Sequence, residues 1–256
     1  MKRTLIQTDF DSFPQEFHNL LRDAEVYDSS SSEDARVYFI RKGQGYFLKT
    51  AAAGSLQREA AMTQYFHSKK LATEVLAYLQ NERDWLLTVQ ISGDDCVHPR
   101  YLENPKRLCD TLAEILYHLH HENINGCPVP DYSKQYLNLA ETNHQKGLFN
   151  PKRGFDSPQK AWETVKKYRH LLKNDTLIHG DYCLPNIILN DWSFSGFIDV
   201  DHGGIGDRHV DIYWALWSLH YNLKSNQFSQ RFIDAYGKNS VDMEMLRLIS
   251  AIECFG

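Results

Sequence analysis

Short hydrophobic runs separated by polar turns characterise the first ninety residues of the chain. Runs rich in β-branched and aromatic residues predict strands at 35–41, 46–50, 75–79 and 85–89. The first two strands flank Gly43 and Gly45, which predicts a hairpin. Apolar residues at helical spacing predict a helix over 56–67. The predicted order of elements is therefore strand, strand, helix, strand, strand.

Helical periodicity dominates after Ser92 and Gly93, where the composition changes and a linker is predicted. We therefore divide the chain into two parts, 1–91 and 92–256. In the second part, helices are predicted after Pro105, from Pro158 as far as Leu172, and at 210–219, 228–236 and 243–255. Short strands are predicted at 176–179, 187–189 and 194–198.

The predicted helix at 210–219 differs from the others because it is apolar on nearly all sides. Such a helix is expected to be buried, with Trp214 and Trp217 in the core. Asp207 stands where a side chain can cap the start of this helix.

Composition excludes several classes of protein. Of 256 residues, 42% are hydrophobic and 24% charged, which is typical of a soluble globular protein with a substantial core. The net charge of -5 disfavours a nucleic-acid partner, and no run is long enough to span a membrane. Asp9 and Asp11 interrupt the apolar stretch that a signal peptide needs. The five scattered cysteines predict neither disulfides nor a zinc site, so we expect a reducing, cytoplasmic location. We also expect a monomer or weak dimer.

The residues with the most informative spacing lie in the segment 179–186, which reads HGDYCLPN, and in the Phe-Ile-Asp that ends at Asp199. Phosphoryl transfer needs a carboxylate to orient the attacking hydroxyl and oxygen ligands for Mg2+. Asp181, Asn186 and Asp199 supply these groups in the order that a kinase catalytic centre uses. A lone Asp in a turn is usually a helix cap, and a lone Lys–Glu pair is usually a surface ion pair. The ordered set is much harder to explain in that way.

This segment resembles the HGDxxxxN catalytic loop of the kinase-like aminoglycoside phosphotransferases, and the 3′-phosphotransferases most closely. Further similar stretches lie at 47–49, 58–60, 184–187, 195–199 and 206–208, and the resemblance extends over about residues 35–255. It implies an α+β, bilobal protein-kinase-like fold. The N-terminal lobe, 1–91, would be a small β-sheet with one helix that binds the nucleotide. The larger, mainly helical C-terminal lobe, 92–256, would hold the catalytic loop and the acceptor.

The resemblance also implies roles for individual residues, with ATP and Mg2+ as cofactors. Asp181 would be the catalytic base, and Asn186 and Asp199 the Mg2+ ligands. On the nucleotide side, the phosphate clamp would be Lys49, its orienting partner Glu59, the adenine-reading hinge residues Gln90 and Ile91, and the serine-rich nucleotide loop 31–37. Asp211 would brace the catalytic loop through the loop backbone.

The acceptor side departs from the family pattern. The family ends in Asp-Glu followed by aromatic residues, and it places acidic residues before the HGD motif to hold a polycationic acceptor. Glu253 and Phe255 match this pattern as acceptor-binding residues, but Ile252 replaces the first acid and Gly256 displaces the terminal carboxylate. Residues 131–175 contain nine Lys or Arg against five Asp or Glu. Cations there weaken attraction for a cationic acceptor.

Several functions are therefore compatible with the sequence. The first is transfer of the ATP γ-phosphate to the 3′-hydroxyl of an aminoglycoside, an antibiotic-resistance activity. The alternatives are a kinase of another small hydroxyl compound, choline-like or a sugar, and a nucleotide-binding pseudokinase. The complete set Lys49, Asp181, Asn186 and Asp199 argues against the pseudokinase. A protein kinase is disfavoured because no Ala-Pro-Glu segment follows Asp199.

Overall fold

The computed structural model describes residues 3–7, 9–31 and 34–256. The chain divides into two compact units. The first comprises Met1–Ser92 and Ser195–Asp201, and the second comprises Gly93–Phe194 and His202–Gly256. The return of Ser195–Asp201 to the first unit is a feature that the sequence did not predict.

One antiparallel sheet dominates the described part of the first unit, with strand order β1-β2-β3-β4-β6-β5. Its strands are β1 (Thr4–Ile6), β2 (Glu25–Asp28), β3 (Ala35–Arg41), β4 (Tyr46–Ala52), β5 (Val75–Gln80) and β6 (Arg83–Val89). Its helices are α1 (His18–Leu21) and α2 (Gln57–Ser68). The predicted order was wrong at its start, since β1 and β2 precede the hairpin. Both strands are short, and β1 is largely exposed, so neither has a strong hydrophobic pattern.

The alternation of side chains along β4 determines what each face of this sheet carries. Leu48 is fully buried in a cluster with Tyr38 and Trp85 on one face. Ala51 lies on the opposite face, where it packs with Leu86 and with Ala60 of helix α2. Lys49 shares the parity of Ala51 and is paired in register with Leu86. The strand therefore directs Lys49 toward the face that helix α2 covers.

The second unit is mainly helical, and its strands are short. The helices are α3 (Pro99–Leu102), α4 (Pro105–Leu119), α5 (Tyr132–Gln145), α6 (Pro158–Tyr168), α7 (His209–Leu223), α8 (Ser229–Gly237) and α9 (Met243–Glu253). The strands are β7 (Asp94–Asp95), β8 (Thr176–Ile178), β9 (Ile187–Asn190), β10 (Ser193–Phe197) and β11 (Gly204–Gly206). Antiparallel pairs join β8 with β11 and β7 with β9. Strand β10 begins in this unit and ends in the first.

Three sequence predictions for the helices need correction. Trp214 and Trp217 are partly exposed rather than core residues, although helix α7 buries its other face. The helix from Pro158 ends at Tyr168, so Leu172 lies beyond it. Helix α5 was missed because its buried positions are tyrosine, serine and alanine rather than leucine or isoleucine. None of the described helices has the length and apolar character that a membrane span requires.

Helix ends follow local capping chemistry. Ser157 accepts a hydrogen bond from the Lys160 amide at the start of α6, and Asp242 accepts one from the Glu244 amide at the start of α9. The predicted contact of Asp207 with the start of α7 is present, because Asp207 Oδ1 accepts a hydrogen bond from the backbone N–H of His209 at 3.0 Å.

Leu112 provides a test of how strongly the core of the second unit depends on α4. It is fully buried, and its carbonyl accepts a hydrogen bond from the Tyr182 hydroxyl at 2.8 Å. Leu112→Ala should lower the free energy of unfolding by about 2–5 kcal/mol, since it leaves a cavity. The control is Leu139→Ala, at a helical leucine whose side chain is 53% exposed, which should change it by less than about 0.5 kcal/mol. Urea unfolding of both variants measures the difference, and equal losses would contradict this placement of Leu112.

Candidate active site

The catalytic-loop candidates Asp181 and Asn186 lie together in the second unit. Strand β8 is buried along its length and leads into the loop, and a short 3-10 helix, Leu184–Asn186, ends it. The Asn186 amide nitrogen donates hydrogen bonds to Asp181 Oδ2 at 2.8 Å and to the Asp181 carbonyl at 3.0 Å. This orientation leaves Asn186 Oδ1 without a hydrogen-bond partner among the described residues. The arrangement therefore orients the Asp181 carboxylate and leaves the amide oxygen of Asn186 beside it.

Asp211 holds this loop through the loop backbone, as the sequence predicted. Its fully buried carboxylate accepts hydrogen bonds from the backbone N–H of Gly180 at 2.7 Å and of His179 at 2.8 Å. A third donor is His120 Nε2 at 3.1 Å. A buried charge is tolerated where several donors surround it. Asp211 is therefore a positioning residue for Asp181.

His120 and Tyr236 extend this network and were not assigned a role from the sequence. Burial lowers the pKa of His120, more than Asp211 raises it, so the imidazole is neutral. In the neutral ring, Nε2–H donates to Asp211 and Nδ1 accepts a hydrogen bond from the Tyr236 hydroxyl at 2.7 Å. Burial raises the pKa of Tyr236 to about 12, which keeps that hydroxyl protonated.

Gly180 is required by a close backbone approach. Its φ is +81°, and a Cβ atom placed on it would lie 1.9 Å from the carbonyl oxygen of His202. No side chain fits there without movement of the backbone. The glycine that precedes Asp181 thus belongs to the geometry of the loop.

In the first unit, Lys49 lies between Glu59, its predicted partner, and Asp199, which was predicted as a Mg2+ ligand. Its Nζ is 2.7 Å from Glu59 Oε2 of helix α2 and 3.5 Å from Asp199 Oδ1. Asp199 follows β10 with φ +53°, a left-handed conformation that Asp adopts more readily than most residues. Its side chain is 55% exposed, so the carboxylate is accessible to solvent. The segment is anchored by the Phe197 amide, which donates a hydrogen bond to the Leu71 carbonyl at 2.7 Å.

Electrostatics keep Lys49 charged. Burial alone would lower the pKa of Lys49, but Glu59, Asp199 and Asp201 outweigh burial and raise it. Burial raises the pKa of Glu59, and Lys49 offsets this only in part. The two shifts share a direction for different reasons: burial disfavours the charged form of Glu59, whereas the negative charges around Lys49, above all that of Glu59, favour its charged form. The ammonium group is therefore the positive centre of an otherwise acidic cluster.

The predicted hinge residues differ in their hydrogen bonding. The Gln90 N–H donates to the Gly45 carbonyl at 3.0 Å, so this group is engaged within the sheet. The N–H and C=O groups of Ile91 have no hydrogen-bond partner among the described residues. Their hydrogen-bonding capacity matches an adenine edge, which presents one donor and one acceptor. In the predicted nucleotide loop 31–37, Ser32 and Glu33 lie outside the described residues. Val37 closes its base, since its N–H donates to Ser30 Oγ at 3.0 Å.

The two predicted acceptor residues are both buried, but in different surroundings. Glu253 Oε1 accepts a hydrogen bond from the Tyr136 hydroxyl at 2.7 Å. Burial raises the pKa of Glu253, and Asp181 is close enough to raise it further. Phe255 is only 1% exposed and packs edge-on against Trp162, with ring centroids 5.6 Å apart. Phe255 is thus a core residue that supports the end of the chain, whereas Glu253 is near the carboxylate of Asp181.

The residues predicted to bind Mg2+ fit the donor chemistry of that ion. Among the described residues, no group of three or more His, Cys, Asp or Glu side chains is arranged to hold a metal. Magnesium does not require such a group, because it commonly binds through one or two protein oxygens together with phosphate oxygens and water. The Asn186 amide oxygen and the exposed Asp199 carboxylate are donors of this kind.

Comparisons with known proteins agree on one family. The model of the phosphotransferase enzyme family matches residues 29–249. A probable aminoglycoside 3′-phosphotransferase of Lactococcus lactis is 45% identical, over 98% of both chains. The crystal structure of an aminoglycoside-3′-phosphotransferase of type VIII aligns with a TM-score of 0.75 at 22% identity, over 95% of this chain and all of that one. Aminoglycoside phosphotransferase APH(3'')-Id of Streptomyces rimosus, solved with ADP and streptomycin, aligns with a TM-score of 0.71 at 18% identity, over 97% of this chain and 99% of that one.

The fold is thus an α+β fold of the protein-kinase-like class, as the sequence predicted. The chain belongs to the phosphotransferase enzyme family. The expectation of an enzyme of this family is confirmed, and the roles of its individual residues stay predictions.

Gly180 offers a test of the loop geometry against a matched glycine. Gly126 has a similar positive φ, +76°, and a Cβ atom there would meet nothing within 4 Å. Gly126→Ala should therefore cost only the left-handed conformation, about 1–2 kcal/mol. Gly180→Ala should lower the free energy of unfolding further, because it also displaces the backbone near His202, and it should abolish activity. Denaturant unfolding and phosphotransfer assays measure both. Equal stability losses in the two variants would contradict the close approach.

Proposed function

We propose that this protein is an ATP-dependent kinase that phosphorylates an aminoglycoside at its 3′-hydroxyl group. The observation that carries the proposal is the Asp181–Asn186 pair, which Asp211 holds in the second unit. The first unit independently contains a complete Lys49–Glu59–Asp199 cluster. The acceptor is suggested by the 45% identical relative, a probable aminoglycoside 3′-phosphotransferase. Resistance to such antibiotics is the proposed cellular consequence.

The catalytic step is assigned to Asp181. Its carboxylate accepts the proton of the acceptor hydroxyl as that oxygen attacks the γ-phosphorus, the bond from this phosphorus to the β–γ bridging oxygen breaks, and ADP leaves. Asn186 fixes the orientation of this carboxylate through its hydrogen bond to Oδ2. Asp211 fixes the backbone that precedes it. Preorganisation of this kind removes the need for the loop to rearrange during the reaction.

The nucleotide is assigned to residues of the first unit, with 1–91 as the nucleotide-binding part and 92–256 as the catalytic and acceptor-binding part. Lys49, kept protonated by its acidic neighbours, pairs with phosphate oxygens. Ile91 hydrogen-bonds the adenine edge through its backbone, beside Gln90. Asn186 and Asp199 would hold Mg2+, and the bound ion would neutralise charge on the phosphates.

A charged position outside the site gives a matched control for this assignment. Asp191 is also exposed and also has a positive φ, +47°, like the +53° of Asp199. Asp181→Asn should lower kcat by about a hundredfold or more with little change in ATP affinity. Asp199→Asn should weaken Mg-dependent ATP binding by about tenfold or more, the scale of one charge-assisted contact. Asp191→Asn should change neither quantity.

Steady-state kinetics and calorimetry with Mg-ATP distinguish these outcomes. Normal turnover of Asp181→Asn would exclude it as the base. Unchanged Mg-dependent binding by Asp199→Asn would remove that residue from the metal site. Tight ATP binding without turnover by the wild type, across aminoglycosides, choline and small sugars, would favour a pseudokinase.

The acceptor assignment has its own test, because Asp181 can activate only an oxygen placed in line with the γ-phosphate. Kanamycin-like compounds with a 3′-hydroxyl should be phosphorylated. Analogues without that hydroxyl should bind with a Kd within about threefold and release no ADP, since their ammonium groups are unchanged. ADP release and calorimetry measure the two properties. Equal turnover of both kinds of compound would contradict the site of transfer.

A second acceptor class is favoured by one observation. The excess of basic residues in 131–175 disfavours a polycation and is compatible with a small hydroxyl compound that carries fewer charges, such as choline or a sugar. We further propose a cytoplasmic monomer or weak dimer with no nucleic-acid partner. Each of these expectations rests on composition rather than on a contact in the structure.

A further inference from the structure

Arg153 has a fixed backbone in the second unit. It ends a short 3-10 helix, Pro151–Arg153, which is followed by Gly154 in a left-handed conformation with φ +105°. The Ser250 hydroxyl donates a hydrogen bond to the Arg153 carbonyl. Just before this turn, the backbone N–H of Asn150 donates a hydrogen bond to the Cys254 carbonyl at 2.7 Å. The turn that carries Arg153 is therefore attached to helix α9 and to the residue that follows it.

The Arg153 side chain lies against aromatic rings of helix α7. Its guanidinium carbon is 4.6 Å from the ring centroid of Trp214 and 4.9 Å from that of Trp217. Arginine over a tryptophan face is a favourable cation–π geometry at such distances. No carboxylate among the described residues lies within 4.0 Å of this guanidinium. The guanidinium therefore lies against the two rings and also interacts with the Tyr213 hydroxyl. The predicted core role of Trp214 and Trp217 is replaced by a partly exposed aromatic cation site.

This aromatic cation site adjoins the acidic groups assigned to catalysis and acceptor binding. Burial raises the pKa of Glu253, and Arg153 and Trp214 both act to lower it. Arg153 also influences Cys183, two residues after Asp181. Arg153 therefore places one positive charge in the neighbourhood of the Glu253 carboxylate.

We propose that Arg153 is a specificity-determining residue that fills this aromatic cation site from within the chain and thereby selects acceptors with few positive charges. The inference rests on the proposed kinase function. An acceptor ammonium group would otherwise use the faces of Trp214 and Trp217 and the charge of Glu253. With Arg153 in that position, each further cation meets a like charge beside Glu253, and like-charge juxtaposition is a common means of discrimination.

The test uses three variants of the full chain. Arg153→Gln removes the charge, Arg153→Lys keeps the charge but loses the planar group, and Lys152→Gln removes an exposed neighbouring charge as the control. Arg153→Gln should lower KM and Kd for kanamycin by about three- to tenfold, the scale of one partly screened charge. Kd for choline should fall less, and KM for ATP should not change. Arg153→Lys and Lys152→Gln should both resemble the wild type.

Two readouts separate this inference from the proposed function. ADP release measures turnover, whereas tryptophan fluorescence and calorimetry measure binding of kanamycin and choline without turnover. If the wild type turns over no aminoglycoside, the proposed function fails, but tighter kanamycin binding by Arg153→Gln would still support the role of Arg153. Unchanged or weaker kanamycin binding by Arg153→Gln would overturn it. Equal effects of Arg153→Gln and Arg153→Lys would also overturn it, since stacking rather than charge would then be responsible.

Discussion

A single buried carboxylate, that of Asp211, determines the geometry of the catalytic loop. It accepts hydrogen bonds from two consecutive backbone N–H groups, those of His179 and Gly180, and from the ring of His120. Without it, buried donors would be left unsatisfied, which is far more destabilising than the loss of one ordinary hydrogen bond. His120 directly follows α4, Asp211 lies in α7, and Tyr236 lies in α8. The position of Asp181 therefore depends on the packing of three helices.

In the first unit, the buried charge that needs stabilisation is positive rather than negative. There a cation, Lys49, is partly buried, and carboxylates rather than dipolar groups stabilise it. Two of those carboxylates, Asp199 and Asp201, come from the segment that returns to this unit late in the chain. The alternation of side chains along β4 and the packing of α2 bring Glu59 close to Lys49. The hydrogen bond that anchors Phe197 brings Asp199 close to it as well. The charge arrangement therefore forms only when two segments that are far apart in the sequence fold together.

Local patterns explain which parts of this arrangement the sequence could predict. Strand 35–41 and the helix after Pro105 were predicted at their observed start because strong apolar spacing and turn residues define them. The catalytic pair is five residues apart, so its spacing is visible in the sequence. His120 and Tyr236 are separated by 116 positions, and no local pattern reports such a contact. The same limit explains the error at Trp214, since periodicity cannot reveal that a distant arginine covers the ring.

Burial separates the two residues that the family resemblance placed at the acceptor. Phe255 packs into an aromatic cluster and supports the end of the chain, whereas Glu253 keeps a carboxylate near Asp181 in surroundings that disfavour its charge. The Tyr136 hydrogen bond and Arg153 offset that disadvantage. Arg153 thus favours the ionised form of Glu253. Under the role proposed for Arg153, the same positive charge disfavours a polycationic acceptor, so the preferred acceptor can change while the groups proposed for phosphoryl transfer stay intact.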